Sequence, residues 1–186
     1  MDDVSTYTAF QGQTCVASGP LEVVLPAVKA LFDRPDCPLV LIFRDQTGQQ
    51  VDFELGGPLS DVLKRAMPSP ARTGPGRPKL GVVSREITLL PRHWEWLEQQ
   101  PTGASAALRR LIDEARKRDP GKQAARLAMD ATGRVLTALA GNLPGYEEAM
   151  RALYAANRQR FEEQIESWPT DIKEYVQRLA LEALWN

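Results

Sequence analysis

The sequence predicts an α+β protein, because strand-like runs and helical repeats alternate in its first third, whereas helical spacing dominates its last third. Of its 186 residues, 43% are hydrophobic and 25% are charged, which is typical of a soluble globular chain. No run approaches the roughly 18 apolar residues of a membrane helix. The acidic start is unlike a secretory signal, and two cysteines are too few for a disulfide framework. We therefore expect a cytoplasmic protein.

Residues 1–66 are predicted to form a small domain with the element order ββαββα. The expected strands are short runs bounded by turn residues, at 6–10, 14–18, 39–43 and 51–55. Helices are expected over 21–32 and 59–66, with Pro26 near the first turn, where a missing N–H costs least. The acids Asp45, Asp52 and Glu54 are possible cation ligands, but the favoured interpretation is that water solvates them.

The remaining chain is divided into three further segments. Residues 67–81 hold four prolines and three glycines and are predicted to be a basic linker. Residues 82–118 are predicted to be a strand followed by two helices. Residues 119–186 are predicted to be a helical domain, in which Asn157 caps one helix and Pro169 begins the last one.

Charge is distributed unevenly along the chain. Residues 1–63 carry a net charge of −6, residues 64–118 carry +7 and residues 119–186 carry −2. A basic middle between acidic flanks is the asymmetry expected of a protein that binds a polyanion. A solvated helix face beside a basic linker is the alternative interpretation.

The linker contains the sequence Gly76-Arg77-Pro78-Lys79, which resembles the AT-hook. This resemblance implies an extended Gly-Arg-Pro core in the minor groove of A·T-rich DNA. Proline keeps the backbone extended, and arginine is attracted by the negative potential of a narrow groove. Pro75 stands where the fuller AT-hook pattern has a basic residue.

Residues 82–118 contain a strand-like run at 83–90, a helix at 92–99 and a long helix that begins near Ser105. This order, with GASAALRRLIDEA in the second helix, resembles the ribbon-helix-helix DNA-binding fold. The resemblance implies a homodimer whose paired strands enter the major groove. It also implies that the amides of Gly103, Ala104 and Ser105 bind a phosphate.

The face that the strand presents to DNA is left open by the sequence. If Ile87 and Leu89 point inward, the alternation leaves Ser84, Glu86 and Thr88 to contact the bases. If the segment is instead aligned with the ribbon-helix-helix pattern at Leu90-Pro91, the two faces are exchanged. The strand is also able to extend the N-terminal sheet. The candidate DNA-binding residues are Arg77, Pro78, Lys79, Arg85, Thr88, Arg92, Gly103, Ala104, Ser105 and Arg109.

This segment also contains two tryptophans, Trp94 and Trp96, and the single histidine of the chain, His93. Trp94 has helical spacing with Leu90 and Leu97 and is predicted to lie in the core. Trp96 faces elsewhere and is the better candidate for a partner surface. His93 has no nucleophile beside it in sequence, so a structural role is favoured over catalysis. The apolar face of the second helix is predicted to hold Leu108, Leu111, Ile112 and Ala115.

The strings GRPKLGVV, LLPRHWEWLEQQP, GASAALRRLIDEAR and GNLPGYEEAMRALY resemble an uncharacterised bacterial family of unknown function, across most of the chain. The favoured function is that of a DNA-binding protein, a dimeric transcriptional regulator or nucleoid-associated factor. The alternative is a protein–protein adaptor in which the same segment drives assembly alone. No enzyme activity, catalytic residue, metal or cofactor is predicted.

Overall fold

The computed structural model describes residues 5–67, 85–118 and 120–184. These residues fall into two compact units. The first, called the core unit, contains the described residues up to Met67 and from Gly121 onward. The second, called the hairpin unit, contains residues 85–118 and also Pro120.

The core unit contains a four-stranded antiparallel sheet with the strand order β2-β1-β3-β4. The strands are β1 (Tyr7–Gln11), β2 (Thr14–Gly19), β3 (Val40–Arg44) and β4 (Gln49–Gln50). In chain order, the helices of both units are α1 (Leu21–Phe32), α2 (Leu59–Ala66), α3 (Pro91–Glu98), α4 (Ala104–Arg118), α5 (Pro120–Ala140), α6 (Tyr146–Tyr154), α7 (Arg158–Ile165) and α8 (Thr170–Leu184). Helices α3 and α4 form the hairpin unit.

Strand β1 is covered on both faces of the sheet. Tyr7 and Ala9 belong to one apolar cluster, together with Val24 and Val28 of α1. The next residue in the alternation, Phe10, belongs to a second cluster that α5 to α8 build. Successive side chains of a strand point to opposite faces, so β1 fills two cores at once. This explains why Tyr7 to Phe10 are all buried.

The second cluster joins the two ends of the chain. Phe10 and Phe43 from the sheet pack with residues of the C-terminal helices, among them Leu136, Leu153 and Phe161. The segments 1–66 and 119–186, treated as separate domains in the sequence analysis, thus share one core. The physical reason is that a sheet with apolar residues on both faces needs a second layer of helices.

Most elements of the core unit agree with the sequence prediction. The order ββαββα is confirmed, and helices α1 and α2 have the predicted bounds. Pro26 differs, because it lies inside α1 and not in the first turn. The predicted strand at 51–55 also differs, since β4 ends at Gln50. Only one ladder-like bond follows it, from the amide of Val51 to the carbonyl of Ile42 at 2.8 Å.

The prediction of a strand at 83–90 is wrong for the part of this segment that the structure describes. Arg85 to Leu90 have no strand assignment, and residues 83 and 84 lie outside the described ranges. Pro91 is the first residue of α3, and the amide of His93 donates to the carbonyl of Leu90 at 2.8 Å. Proline suits the first helical position, so it begins a helix here. The proposed addition of this segment to the N-terminal sheet is not found for Arg85 to Leu90.

The C-terminal helices follow their predicted signals. Asn157 caps α7, because its side-chain oxygen accepts from the amide of Arg160 at 3.0 Å. Helix α8 begins directly after Pro169. Across the described ranges, no helix combines the length and apolar character needed to cross a bilayer. The predicted linker lies outside those ranges, apart from Met67.

The turn between β3 and β4 packs closely against α5. Gly48 has φ +63°, and a Cβ added there would lie 2.0 Å from the carbonyl oxygen of Ala131. The guanidinium of Arg134 donates to the carbonyl of Thr47 at 2.6 Å in the same region. The sheet and α5 therefore meet backbone to backbone at this turn.

We predict that Gly48→Ala destabilises the protein much more than Gly12→Ala does. Both glycines have left-handed backbone, with φ +63° and +59°, but Gly12 has no atom within 4 Å of an added Cβ. The left-handed conformation costs an alanine roughly 1–2 kcal/mol at either position. We expect the overlap with Ala131 to add at least about 2 kcal/mol for Gly48→Ala, as measured by urea unfolding. Equal losses in the two variants would contradict this packing.

Candidate functional site

The hairpin unit consists of two packed helices with very little core. Helices α3 and α4 contact each other, and Leu97 and Ala107 are the buried residues among 85–118. The turn between them places Gly103, with φ +76°, immediately before α4. Its carbonyl accepts from the amide of Ala107 at 3.0 Å, which closes the first turn of the helix.

The structure places the predicted DNA-binding residues on exposed parts of this unit. Arg85 and Thr88 lie in the segment that precedes α3, and Arg92 is the second residue of that helix. Gly103 and Ser105 are exposed at the start of α4, and Ala104 between them is half-buried. Arg109 follows Ser105 by four residues, so it lies one turn further along the same face. Arg77, Pro78 and Lys79 lie outside the described residues.

The apolar side chains of the hairpin unit are unusually exposed. Trp94, predicted to be core, is 37% exposed, so that prediction is wrong. Leu111 and Ile112 of the predicted apolar face are exposed as well, whereas Trp96 is exposed as expected for a partner surface. Together with Ile87 and Leu90, these residues are called the apolar surface of the hairpin unit. Two short helices alone bury too little area to shield such residues.

A second constellation of polar side chains, which the sequence did not predict, lies in the core unit. Asp45 follows β3 and is only 12% exposed at its side chain, so the expectation that water solvates it is wrong. Its Oδ1 accepts from the hydroxyl of Thr8 at 2.8 Å and from the phenol of Tyr175 at 3.0 Å. Thr8 and Tyr175 are both buried. A buried carboxylate needs such donors to offset its lost hydration.

Arg178 completes this polar network. Its guanidinium donates to the hydroxyls of Thr8 at 2.8 Å and Ser18 at 3.1 Å, and it lies 3.5 Å from Oδ2 of Asp45. Because the single proton of the Thr8 hydroxyl goes to Asp45, the Ser18 hydroxyl donates to Thr8 across 3.0 Å. The network therefore connects β1, β2, the turn after β3 and helix α8.

Two titratable groups beside this network, the Tyr175 phenol and the Cys15 thiol, have raised pKa values. Burial, and then the Asp45 carboxylate, raise the pKa of the Tyr175 phenol. Burial is also the main cause of a raised pKa at the Cys15 thiol, with Asp171 as a further cause. The backbone amide of Cys15 donates to Asp171 Oδ2 at 2.7 Å. A raised pKa is the opposite of what a nucleophilic cysteine requires.

The sequence contains little that predicts this network. Asp45 lies in an Asp-Gln-Thr-Gly turn, and an acidic side chain in such a turn is usually solvated. Tyr175 and Arg178 are three residues apart, and so share a face of α8. Nothing in their spacing relates them to a residue 130 positions earlier.

We predict that the unfolding free energy falls as the pH rises above about 10, where an unfolded tyrosine ionises. The folded-state pKa of Tyr175 is raised, so its contribution is complete below that pH and is lost above it. From pH 9 to 11 we expect a loss of roughly 1 kcal/mol from Tyr175. Denaturant unfolding across this range should show a shallower decline for Tyr175→Phe, because the raised pKa of the phenol no longer contributes, whereas that of the Cys15 thiol still does.

The exposed Tyr154 provides the control for this experiment. We expect Tyr154→Phe to keep the full decline of the parent protein. A decline of the same size in Tyr175→Phe would show that the phenol is not held protonated by the fold.

Comparison with known proteins places this architecture in one family. Neither the curated proteins nor the solved structures contain a match to the chain. The family model described as an uncharacterized protein conserved in bacteria, DUF2239, matches residues 6–180. This range includes both units and confirms the family resemblance noted from the sequence strings. The chain therefore belongs to the DUF2239 family of bacterial proteins.

Proposed function

We propose that this protein binds double-stranded DNA as a homodimer, a mode of action that fits a transcriptional regulator or a nucleoid-associated factor. The observation that carries the proposal is the composition of the hairpin unit, where exposed apolar side chains and exposed arginines lie on the same two helices. The apolar surface supports association of two copies, and the arginines support contacts to phosphates.

Association of two copies is supported by the exposed apolar side chains of the hairpin unit. The apolar surface includes Trp94 and Trp96 on α3, and Leu111 and Ile112 on α4. Several large apolar side chains are exposed on this small unit, on more than one helix face, and exposure on this scale commonly marks interaction sites. A second copy offers the same residues in return, which is the self-complementary arrangement of a twofold interface.

DNA binding is supported by exposed basic side chains and by the backbone at the start of α4. Arg85, Arg92 and Arg109 are exposed, and α4 ends with Arg116, Lys117 and Arg118, which are exposed too. Amides at a helix start are suited to bind a phosphate, and Gly103 opens α4 without a side chain in the way. The complete basic segment, 64–118, has a net charge of +7, which favours a phosphate backbone as the partner.

We predict that affinity for duplex DNA falls steeply with salt, since each neutralised phosphate releases counterions. Replacing Arg77 or Lys79 by alanine should lower the slope of log K against log salt by about one per residue. Fluorescence anisotropy with A·T-rich and G·C-rich duplexes measures both slope and preference. Arg151→Ala on α6 is the control and should leave the slope unchanged. An intact protein without salt-dependent affinity would end this proposal.

A non-enzymatic adaptor is the second candidate, and two observations favour it. Arg85 to Leu90 do not form the strand that a DNA-reading ribbon needs. Residues 85–118 also contain seven Lys and Arg but five Asp and Glu, so their net charge is only +2. In this case the apolar surface serves assembly alone. The adaptor predicts a dimer with no affinity for duplex DNA at low salt.

We predict that Ile112→Glu dissociates the dimer that both candidate functions require. Ile112 is exposed on α4, and a buried glutamate in an apolar interface lacks a partner to offset its desolvation. Sedimentation velocity should show a shift from dimer to monomer at micromolar concentration. Val23→Glu, at a similarly exposed apolar residue on α1, is the matched control. A monomeric parent protein would contradict both candidates.

A further inference from the structure

A pocket of about 500 Å³ lies in the core unit between α5 and α8. Apolar side chains form its walls, with Leu127 and Leu181 exposed by 54% and 48%. Asp45, Gln46 and Arg178 supply its polar groups. Apolar walls with a few convergent polar groups are the usual composition of small-molecule sites, and the volume lies in their usual range.

The two oxygens of Asp45 are used unequally. Oδ1 accepts two hydrogen bonds, from Thr8 and from Tyr175. Oδ2 has Arg178 at 3.5 Å, which is longer than a charge-assisted hydrogen bond. A carboxylate oxygen at this degree of burial favours a second donor. Oδ2 therefore retains capacity for a cationic group that enters the pocket.

Arg178 is likewise only partly engaged. Its guanidinium binds the hydroxyls of Thr8 and Ser18, yet its side chain remains 49% exposed. A guanidinium has five N–H donors in a planar fork and is suited to bind a carboxylate in two contacts. The pocket thus presents one anionic group and one cationic group side by side, among apolar walls.

We propose that this pocket binds a zwitterion with an apolar side chain, of the chemical class of the apolar α-amino acids. The ammonium group of the ligand meets Oδ2 of Asp45, and its carboxylate meets the guanidinium of Arg178. The apolar side chain covers Leu127 and Leu181. The ligand charges replace the loose contact between Asp45 and Arg178 with close pairs, while Thr8, Ser18 and Tyr175 hold both residues in place. This inference is independent of DNA binding.

Calorimetric titration of the full chain with L-phenylalanine tests this proposal. Phenethylamine lacks the carboxylate, and 3-phenylpropionate lacks the ammonium group, so each retains only one of the two charged contacts. We expect saturable millimolar or tighter binding of L-phenylalanine and at least about tenfold weaker binding of each analogue. Absence of saturable binding, or equal binding of either analogue, would overturn the proposal.

Variants at the wall of the pocket separate specific binding from general effects. Leu127→Gln changes an exposed residue outside the polar network, so we expect the fold to persist, as checked by its thermal unfolding. It should weaken L-phenylalanine binding severalfold. Val23→Gln changes an exposed apolar residue of α1 that does not line the pocket, and it should leave binding unchanged. An unchanged affinity in Leu127→Gln, or an equal loss in both variants, would also count against the site.

Discussion

The packing of β1 between two apolar layers is the constraint on which the rest of this structure depends. Tyr7 and Ala9 need the cover of α1, and Phe10 on the opposite face needs the C-terminal helices. A strand with apolar residues on both faces cannot be stable with one of them in water. The first and last parts of the chain must therefore fold together, and the segment between them is left to form a unit of its own.

The same sheet face that supplies Phe10 also supplies a polar group. Thr8 lies two residues earlier in the alternation, and its buried hydroxyl bonds with Asp45, Ser18 and Arg178. Apolar contacts between sheet and helices have little directional preference, whereas these hydrogen bonds require one angle and one register. We infer that the network fixes how α8 lies on the sheet, in addition to any role in binding. Buried hydroxyls that are held by such hydrogen bonds, like those of Thr8 and Tyr175, commonly specify a unique packing.

Local signals in the sequence predicted local structure well. Apolar spacing gave the bounds of α1 and α2, and Asn157 identified the start of α7, because each signal acts over a few residues. The error at Arg85–Leu90 has a local cause too, since alternating residues resemble a strand whether or not a partner strand exists. Trp94 was misassigned because helical spacing identifies a face without showing what covers it.

Contacts between distant parts of the chain were beyond the reach of the sequence. The burial of Asp45 depends on Tyr175 and Arg178, and neither composition nor residue spacing pairs side chains that lie 130 or more positions apart. The sharing of a core between 1–66 and 119–186 was missed for the same reason. In the hairpin unit, charge and exposure describe a surface but do not identify its partner, so the sequence predicts only a class of partner there.

The chain enters and leaves the hairpin unit from the same folded body, and this has a consequence for cleavage. We expect a protease that cuts once in the stretch from Pro70 to Pro120 to leave the two fragments associated. The sheet and the C-terminal helices still pack together in one hydrophobic core after the cut. The nicked protein should migrate as one species until denaturant separates the two pieces. Its stability would then depend on concentration, as that of a two-chain complex does.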